Sequence, residues 1–386
     1  MKKVAILGST GSIGVIACDV IKIHSQDFKI TALSANQNYK LLAEQANFFK
    51  PSVVCVGSKE LISPLKGLLN YDPQIFFGEQ GLVDTVKNSD AKLLLNSLVG
   101  AVGLVPTLEA LNLSLDVALA NKETLVVGGQ LVTSLAEKKG AKIIPVDSEH
   151  NAIFQSLMGN SERPLKKITL TASGGPLLNF PVEKFDEVTI EQALNHPTWG
   201  MGRKISIDSA TMMNKGLEII EARWLFNLPT EKIDVVIHPQ SIVHGMAEFS
   251  DGSVLAVLGP TSMSVPIIYS LYYPQHSMRA PAGSLDFSSG IKLEFFAPDE
   301  KRFPLLKTAK EVSRKLGTLP AVFNASNEIA VQAFLDGKIK FTEIRKIIED
   351  TLSKHNSQNG NNLEVLLDAD AWARKQAKEF IKTREA

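Results

Sequence analysis

The chain has 386 residues, of which 44% are hydrophobic and 21% charged. This is a globular composition, too long for one core and suited to two or three domains at ~150 residues each. Its 41 basic and 41 acidic residues cancel to a formal net charge of zero, which argues against a general nucleic-acid binder with a basic surplus. No run approaches the ~18 apolar residues that span a bilayer. The start Met1-Lys2-Lys3 is followed by the short apolar run 4–7 and then Gly8, too brief for the core of a signal peptide. Cys18 and Cys55 are the only cysteines and read as buried, unpaired thiols of a reducing compartment. The expected location is the cytosol, with neither membrane nor nucleic acid as a partner.

Residues 4–7 form an apolar run ending in glycine, and 13–23 follow with helical spacing. Residues 29–33, 52–56, 93–96, 116–120 and 141–146 read as further strands with helical segments between several of them. Continuous apolar strands of this kind belong to a parallel sheet covered on both faces. Asn121 is a good N-cap for a helix running on through 123–139 despite Gly128-Gly129. After residue 150 the pattern becomes α+β, with strands expected at 168–172, 205–207, 235–237, 243–249 and 253–258. Asp251-Gly252 marks a hairpin between the last two. Residues 273–298 are rich in Pro, Gly and Ser and read as a linker. From Phe303 onward the pattern is helical: Pro320 sits in a first turn, 321–335 follows and Gly337 closes it. Helices at 341–354 and 363–382 flank a polar loop. The expected fold is α/β: an N-terminal Rossmann-like doubly wound parallel sheet over 1–147, a central α+β catalytic domain over 148–272, a linker over 273–298, and a C-terminal helical bundle over 299–386.

Gly8-x-x-Gly11-x-x-Gly14 joins the first strand to the first helix. Glycines there let the backbone approach a pyrophosphate, whose charge meets the helix N-terminal N–H groups. The spacing departs from G-x-G-x-x-G, so position rather than the string carries the reading; the plain alternative is a connection that binds nothing. An NAD site usually has an acid at the end of the second strand. Here that strand ends Ser34-Ala35-Asn36-Gln37-Asn38, which leans towards NADP, with Lys40 the nearest cation.

Asp147 and Glu149 follow the strand that ends near Val146. In extended backbone, residues i and i+2 share a face, so both carboxylates could meet one ion. Oxygen ligands favour Mg²⁺ or Mn²⁺ over zinc. Taken alone, Asp147-Ser148-Glu149 reads rather as a solvated turn, with Asp147 or Ser148 capping the next helix. Ser173-Gly174-Gly175 also follows a strand, where backbone N–H groups can form an anion nest. The segment up to Gly202 has the composition of a flap and holds a short helix with the capping box Thr189-x-x-Gln192. Trp199 within it is either an anchor on the core or part of a closing lid. Asn214, Lys215 and Glu218 lie within one helical turn, Asn214 and Glu218 at i,i+4; Lys215–Glu218 could also be a plain surface ion pair. His238 and His244 read as structural.

These pieces, in this order, closely resemble the 1-deoxy-D-xylulose 5-phosphate reductoisomerases. The resemblance covers nearly the whole chain and is carried by specific strings. They are Gly8-Ser-Thr-Gly-Ser-Ile-Gly14, Ala120-Asn-Lys-Glu123, Pro145-Val-Asp-Ser-Glu-His150, Thr171-Ala-Ser-Gly-Gly175 and His196-Pro-Thr-Trp199, followed by Ile207-Asp-Ser-Ala-Thr-Met-Met-Asn-Lys-Gly-Leu-Glu218, His238-Pro-Gln-Ser and Asn324-Ala-Ser-Asn-Glu328. It implies an oxidoreductase of isoprenoid biosynthesis that isomerises this sugar phosphate and reduces it with NADPH. It implies that Asp147, Glu149 and Glu218 bind a divalent cation, Mg²⁺ or Mn²⁺ with Co²⁺ a third candidate. Lys122 and Ser148 would orient the substrate's ketone and hydroxyl oxygens. Ser173, His196, Ser209, Asn214 and Lys215 would surround its phosphate, under a flap carrying Trp199. Thr10, Gly11, Ser12, Ile13, Ala35, Asn36, Gln37, Asn38, Asn121, Glu123, Met201 and Gly202 would line the cofactor site. The catalytic domain would also support a homodimer.

The chain departs from the family pattern in three places. Asn36-Gln37-Asn38 stands where the family often has Gly-Lys-Asn, removing a cation for the 2′-phosphate. Gly200 replaces a frequent serine, and Pro260 lies one position early. A different two-domain dehydrogenase, such as one acting on an amino-acid semialdehyde, would not need three carboxylates and a phosphate set. A dinucleotide-sensing regulator would need a helix-turn-helix and a basic face, and neither is found in the sequence.

Overall fold

A computed structural model describes residues 1–160, 163–280 and 282–385. The chain forms two compact units. One comprises Met1–Thr124, Val132–Asn151 and Ser262–Gly283; the other comprises Leu125–Leu131, Ala152–Thr261 and Ser284–Ala386. Residues 262–283, divided at the sequence level between a central domain and a linker, therefore cluster with the nucleotide-type unit. The central and C-terminal segments cluster together.

The first unit is built on seven strands: β1 (Lys2–Leu7), β2 (Phe28–Ser34), β3 (Val53–Val56), β4 (Gln74–Phe77), β5 (Leu93–Asn96), β6 (Asp116–Leu119) and β7 (Ile143–Pro145). Their order is β4-β3-β2-β1-β5-β6-β7, and each pairing is parallel. The central strands are apolar along their length because helices cover both faces, and Val4 to Leu7 and Leu93 to Leu95 are wholly buried. Strand β4 gives no sequence signal for a physical reason: it is four residues long, at the sheet edge and only partly covered. Crowding explains the glycine turn after β1. Gly8 has φ +81°, and a Cβ there would lie 2.6 Å from the Ser97 carbonyl oxygen. A Cβ on Gly14 would meet the Gly8 carbonyl oxygen at 2.2 Å. The Ser264–Tyr272 helix packs on the Ser12–Ile23 helix. There Lys2 Nζ donates to the Leu271 carbonyl at 3.0 Å, and Tyr272 meets the ring of Phe28 edge-on at 4.8 Å.

The second unit holds β8 (Leu165–Ala172), β9 (Ile233–Ile237), β10 (Val243–Phe249) and β11 (Val254–Leu258) in the order β11-β10-β8-β9. Only β8–β9 is parallel. The Asp251-Gly252 hairpin is present, with Gly252 at φ +85° and the Arg163 guanidinium 2.8 Å from Asp251. Residues 205–207, expected as a strand, instead lie in the Arg203–Ala210 helix. The Ile-Ser-Ile alternation has the strand period. It is overridden by burial of Ile207 and Ala210 in the helical core and by the Lys204–Asp208 pair at i,i+4. Tertiary packing outweighs β-branched preference here.

The Met213–Leu225 helix is apolar on two faces. Ile219 and Ala222 pack with the sheet residues Ile168, Leu170 and Ile233. Met213, Leu217 and Ile220 pack with Phe323, Leu305 and Ile344 of the C-terminal helices. The remaining face carries Asn214, Lys215 and Glu218. On this helix Gly216 is required by a close approach, since a Cβ there would lie 2.7 Å from Ala309 Cβ. Farther back, Gly128 interrupts the Lys122–Lys139 helix with φ −118° and ψ 23°, and a Cβ on Gly129 would enter the Trp224 ring. Both cysteines are free and buried, and burial pushes each thiol pKa up to about 12.

Gly216→Ala tests the helix contact. Alanine gains about 1 kcal/mol in helix propensity, but overpacking costs about 1–3 kcal/mol. We expect a net loss and a lower urea midpoint; a raised midpoint would show that the helices separate freely.

Candidate active site

In the first unit, four of the expected site residues, Asn121, Lys122, Glu123 and Asp147, lie just after the C-terminal ends of β6 and β7. Asn121 caps the Lys122–Lys139 helix, accepting from the Thr124 N–H at 3.2 Å. Its amide donates at 2.9 Å each to the Leu98 and Gly100 carbonyls and to Glu123 Oε2. The predicted Asn121 and Glu123 are thus joined to each other and to the loop after β5. Lys122, on the first turn, is buried and places Nζ 2.7 Å from Asp147 Oδ2.

The extended i,i+2 geometry expected for Asp147 and Glu149 is not what forms. β7 ends at Pro145, and a helix begins at Ser148. The Asp147 carbonyl accepts the first helical bond, from the Asn151 N–H at 2.8 Å, so Asp147 stands at the cap and Glu149 in the first turn. A helix N-terminus favours carboxylates at both places. Ser148 Oγ donates to Glu149 Oε2, so Ser148 and Glu149 remain neighbours. His150, missed at the sequence level, is buried with Nδ1 3.8 Å from Asp147 Oδ2. Once the helix is known to start at Ser148, the i,i+3 spacing would have flagged it. Burial pushes the Asp147 pKa up, but Lys122 and His150 outweigh it and hold this carboxyl well below the usual range. It is therefore ionised at neutral pH, as a ligand for a hard cation must be.

At the β1 turn, Gly11 occupies the N-cap with no side-chain bond to the helix, leaving first-turn N–H groups near Ser12 and Ile13 without a side-chain cap. Thr10 belongs to the same turn. Ala35 is buried, while Asn36, Gln37 and Asn38 are exposed. Asn38 has a structural task, accepting from the Leu41 N–H at 3.2 Å as N-cap of the next helix. The Asn36 carbonyl accepts from the Gly57 N–H at 2.9 Å.

In the second unit, Ser173 directly follows β8 and is followed by Gly174 and Gly175 at φ +88° and +68°. A Cβ on Gly175 would lie 2.5 Å from the Ser209 carbonyl oxygen, so glycine lets these two serine-bearing segments meet. Ser173 Oγ lies 2.9 Å from His196 Nε2. Trp199 is half-buried, its ring edge-on to His244 at 6.2 Å. Burial lowers the pKa of His244, the Gly259 and Pro260 backbone raises it, and His238 and Lys215 lower it. Met201 and Gly202 lead into the Arg203–Ala210 helix. Asn214 Nδ2 donates to Glu218 Oε1 at 2.6 Å, and Lys215 pairs with Glu218 Oε2. Lys215 and Glu218 are buried, so this is not a surface ion pair.

His238 does structural work. Its Nε2 accepts from the Ile242 and Val243 N–H groups at 3.1 Å, and Nδ1 donates to the Glu294 carbonyl at 2.8 Å. Sequence reasoning also missed the buried Asp208, held by Lys204 at 2.9 Å and by Asn327 Nδ2 at 2.8 Å. Its signal was i,i+4 spacing from Lys204, hidden by the strand reading.

Three family models match: 1-deoxy-D-xylulose 5-phosphate reductoisomerase over residues 4–129, its C-terminal domain over 143–226, and the DXP reductoisomerase C-terminal domain over 258–376. The 1-deoxy-D-xylulose 5-phosphate reductoisomerase of Chloroherpeton thalassium is 50% identical, covering 97% of each chain. A crystal structure of DOX-P reductoisomerase with NADPH, fosmidomycin and magnesium has TM-score 0.95 and 38% identity, covering 100% of this chain and 99% of that one. The Zymomonas mobilis enzyme with NADPH has TM-score 0.91 and 42% identity, covering 98% and 99%. A likeness of this extent leaves neither unit outside it: the chain belongs to the 1-deoxy-D-xylulose 5-phosphate reductoisomerase family.

Proposed function

We propose that the protein isomerises 1-deoxy-D-xylulose 5-phosphate and reduces the product with NADPH to 2-C-methyl-D-erythritol 4-phosphate, in a metal-dependent reaction of isoprenoid biosynthesis. Family membership supports the reaction. The observation that carries the residue assignment is the pairing of site carboxylates with cations inside each unit: Asp147 with Lys122 and Glu218 with Lys215.

Asp147, Glu149 and Glu218 are our ligands for one divalent cation. The donors are oxygens, and the Asp147 carboxyl is held ionised, which suits Mg²⁺ or Mn²⁺. When bound, the cation supplies Lewis acidity to the ketone and hydroxyl oxygens, and NADPH supplies the hydride. Lys122 and Ser148 orient the reacting oxygens. Lys122 carries a proton donor beside Asp147 and is one candidate for the proton shuttle. Ser173, His196, Ser209, Asn214 and Lys215 hold the phosphate, far from the bonds that change. Trp199 and its glycine-flanked segment cover the substrate, retaining the intermediate fragments and excluding water. Thr10 to Ile13, Ala35 to Asn38, Asn121, Glu123, Met201 and Gly202 hold the cofactor.

We further propose a homodimer formed through the second unit. Val254, Leu258, Phe295 and Phe296 are 51%, 37%, 43% and 51% exposed, apolar surface that a partner would cover. Among the described residues no helix is long and apolar enough to cross a membrane. Together with two free thiols, this supports a cytoplasmic setting.

Glu149→Gln keeps shape and removes charge. It should weaken Mn²⁺ binding by more than the ~10–100-fold typical of losing an outer-shell partner, with NADPH binding retained. Calorimetry checks both, and wild-type Mn²⁺ affinity would overturn the ligand assignment.

Lys215→Ala should raise KM strongly, with part of the loss in kcat because phosphate binding energy also drives closure. If only metal affinity changed, Lys215 would belong to the ion rather than the phosphate.

Gln37→Lys should lower KM for NADPH and make it salt-sensitive, since a charged donor bonds roughly twice as strongly as a neutral one. KM for NADH should hardly move. Equal improvement for both cofactors would show that this turn does not read the 2′-phosphate.

A further inference from the structure

His196 makes hydrogen bonds that leave it one protonation state. Its Nδ1 lies 3.0 Å from the Trp199 backbone N–H and 3.2 Å from that of Thr198. Both groups can only donate, so Nδ1 must offer its lone pair. A neutral ring with bare Nδ1 carries its proton on Nε2, which faces Ser173 Oγ at 2.9 Å. Ser173 Oγ also receives the Gly175 N–H at 3.1 Å. With two donors already arriving, the serine's own hydrogen points elsewhere.

We infer that His196 is the positioning residue of the flap turn: as the Nε2–H tautomer it gathers the Thr198 and Trp199 N–H groups onto one nitrogen and turns the Ser173 hydroxyl into a donor for the substrate phosphate. The first half rests on geometry alone; the second rests on the reading of Ser173 as a phosphate ligand. One ring thus ties the turn that carries Trp199 to the floor of the anion pocket. After it, Gly200 and Gly202 have open space around a would-be Cβ.

Protonation breaks this arrangement, because an Nδ1–H would confront two further N–H groups. Burial lowers the His196 pKa, so the neutral form belongs to the folded turn. His244 on β10 meets the Trp199 ring of this turn, and His238 and Lys215 act in turn on His244. None is a carboxylate that would favour imidazolium. The sign follows from a folded pKa below the unfolded one. The turn is fully supported above the ordinary histidine value of ~6.5, and that support is lost as pH falls through the lower folded value.

Two substitutions separate the two nitrogens. In His196→Asn, Oδ1 replaces the Nδ1 acceptor and nothing reaches Ser173. In His196→Gln, Nε2 replaces the donor to Ser173 and the turn loses its acceptor. The full-length enzyme is used, with Trp199 emission measured in a background lacking Trp224 and Trp372 or, if that background is unstable, by difference against Trp199→Phe. We expect His196→Asn to keep wild-type Trp199 emission while raising substrate KM on the order of tenfold, and His196→Gln to shift the emission at neutral pH. Imidazole ¹⁵N spectra of wild type should show the Nε2–H tautomer at neutral pH, becoming doubly protonated only in acid. An Nδ1–H tautomer, an imidazolium at neutral pH, or equal emission changes in both variants would overturn the inference. Unchanged KM in both variants with the expected emission split would instead leave the turn intact and remove Ser173 from the phosphate.

Discussion

A carboxylate taken out of water needs a cationic partner, because an unpaired buried charge costs several kcal/mol. The site is organised by that requirement. The Met213–Leu225 helix is apolar towards the sheet on one side and towards the C-terminal helices on another, which draws its third face into cover as well. Glu218 therefore becomes fully buried, and Lys215 and Asn214 satisfy its two oxygens. In the other unit the same logic sets Lys122 against Asp147. Two acids that would be exposed in an ordinary helix or turn are thus each accompanied by an ammonium group.

Glycine supports these placements where backbones must come together. Gly8 and Gly14 let the first helix start against β1, which aims its N-terminus along the turn. Gly175 lets the segment after β8 meet Ser209. Gly216 lets the Met213–Leu225 helix seat against the C-terminal helices, one residue from Lys215. In each case a Cβ would have to displace main chain or a packed neighbour, so these positions restrict where the polar groups stand.

Much of this was legible in the sequence, for reasons that vary by element. β1, β3 and β5 are buried on both faces and so spell themselves as continuous apolar runs, whereas edge strand β4 has too little cover to leave a pattern. Residues 205–207 misread because Ile-Ser-Ile satisfies a period of two locally; only the core beneath Ile207 and Ala210 shows that the period is helical. Asp147 and Glu149 were given the wrong backbone, since an acid before and inside a first helical turn looks the same as an acid pair at a strand end. The resemblance to a family supplied the roles. It could not supply the bonds of His196, which run to main-chain N–H groups that no residue identity encodes.

The cofactor turn illustrates a further limit on reading roles from residue types. Asn36, Gln37 and Asn38 look like three equivalent amide donors for a 2′-phosphate. In the fold they are not equivalent: the Asn38 oxygen is spent on the cap of the Tyr39–Phe49 helix, and the Asn36 main chain is tied to Gly57. The Asn38 cap uses only its oxygen, Gln37 Nε2 lies 3.5 Å from Asn36 Oδ1, and all three side chains are exposed, where a neutral hydrogen bond competes with water and contributes about 0.5–1.5 kcal/mol. On the proposed reading of this turn, discrimination between the two nicotinamide cofactors comes chiefly from what it lacks. A carboxylate would bind the ribose hydroxyls of NADH and repel a phosphate, so leaving it out removes the advantage of one cofactor without adding a strong contact to the other.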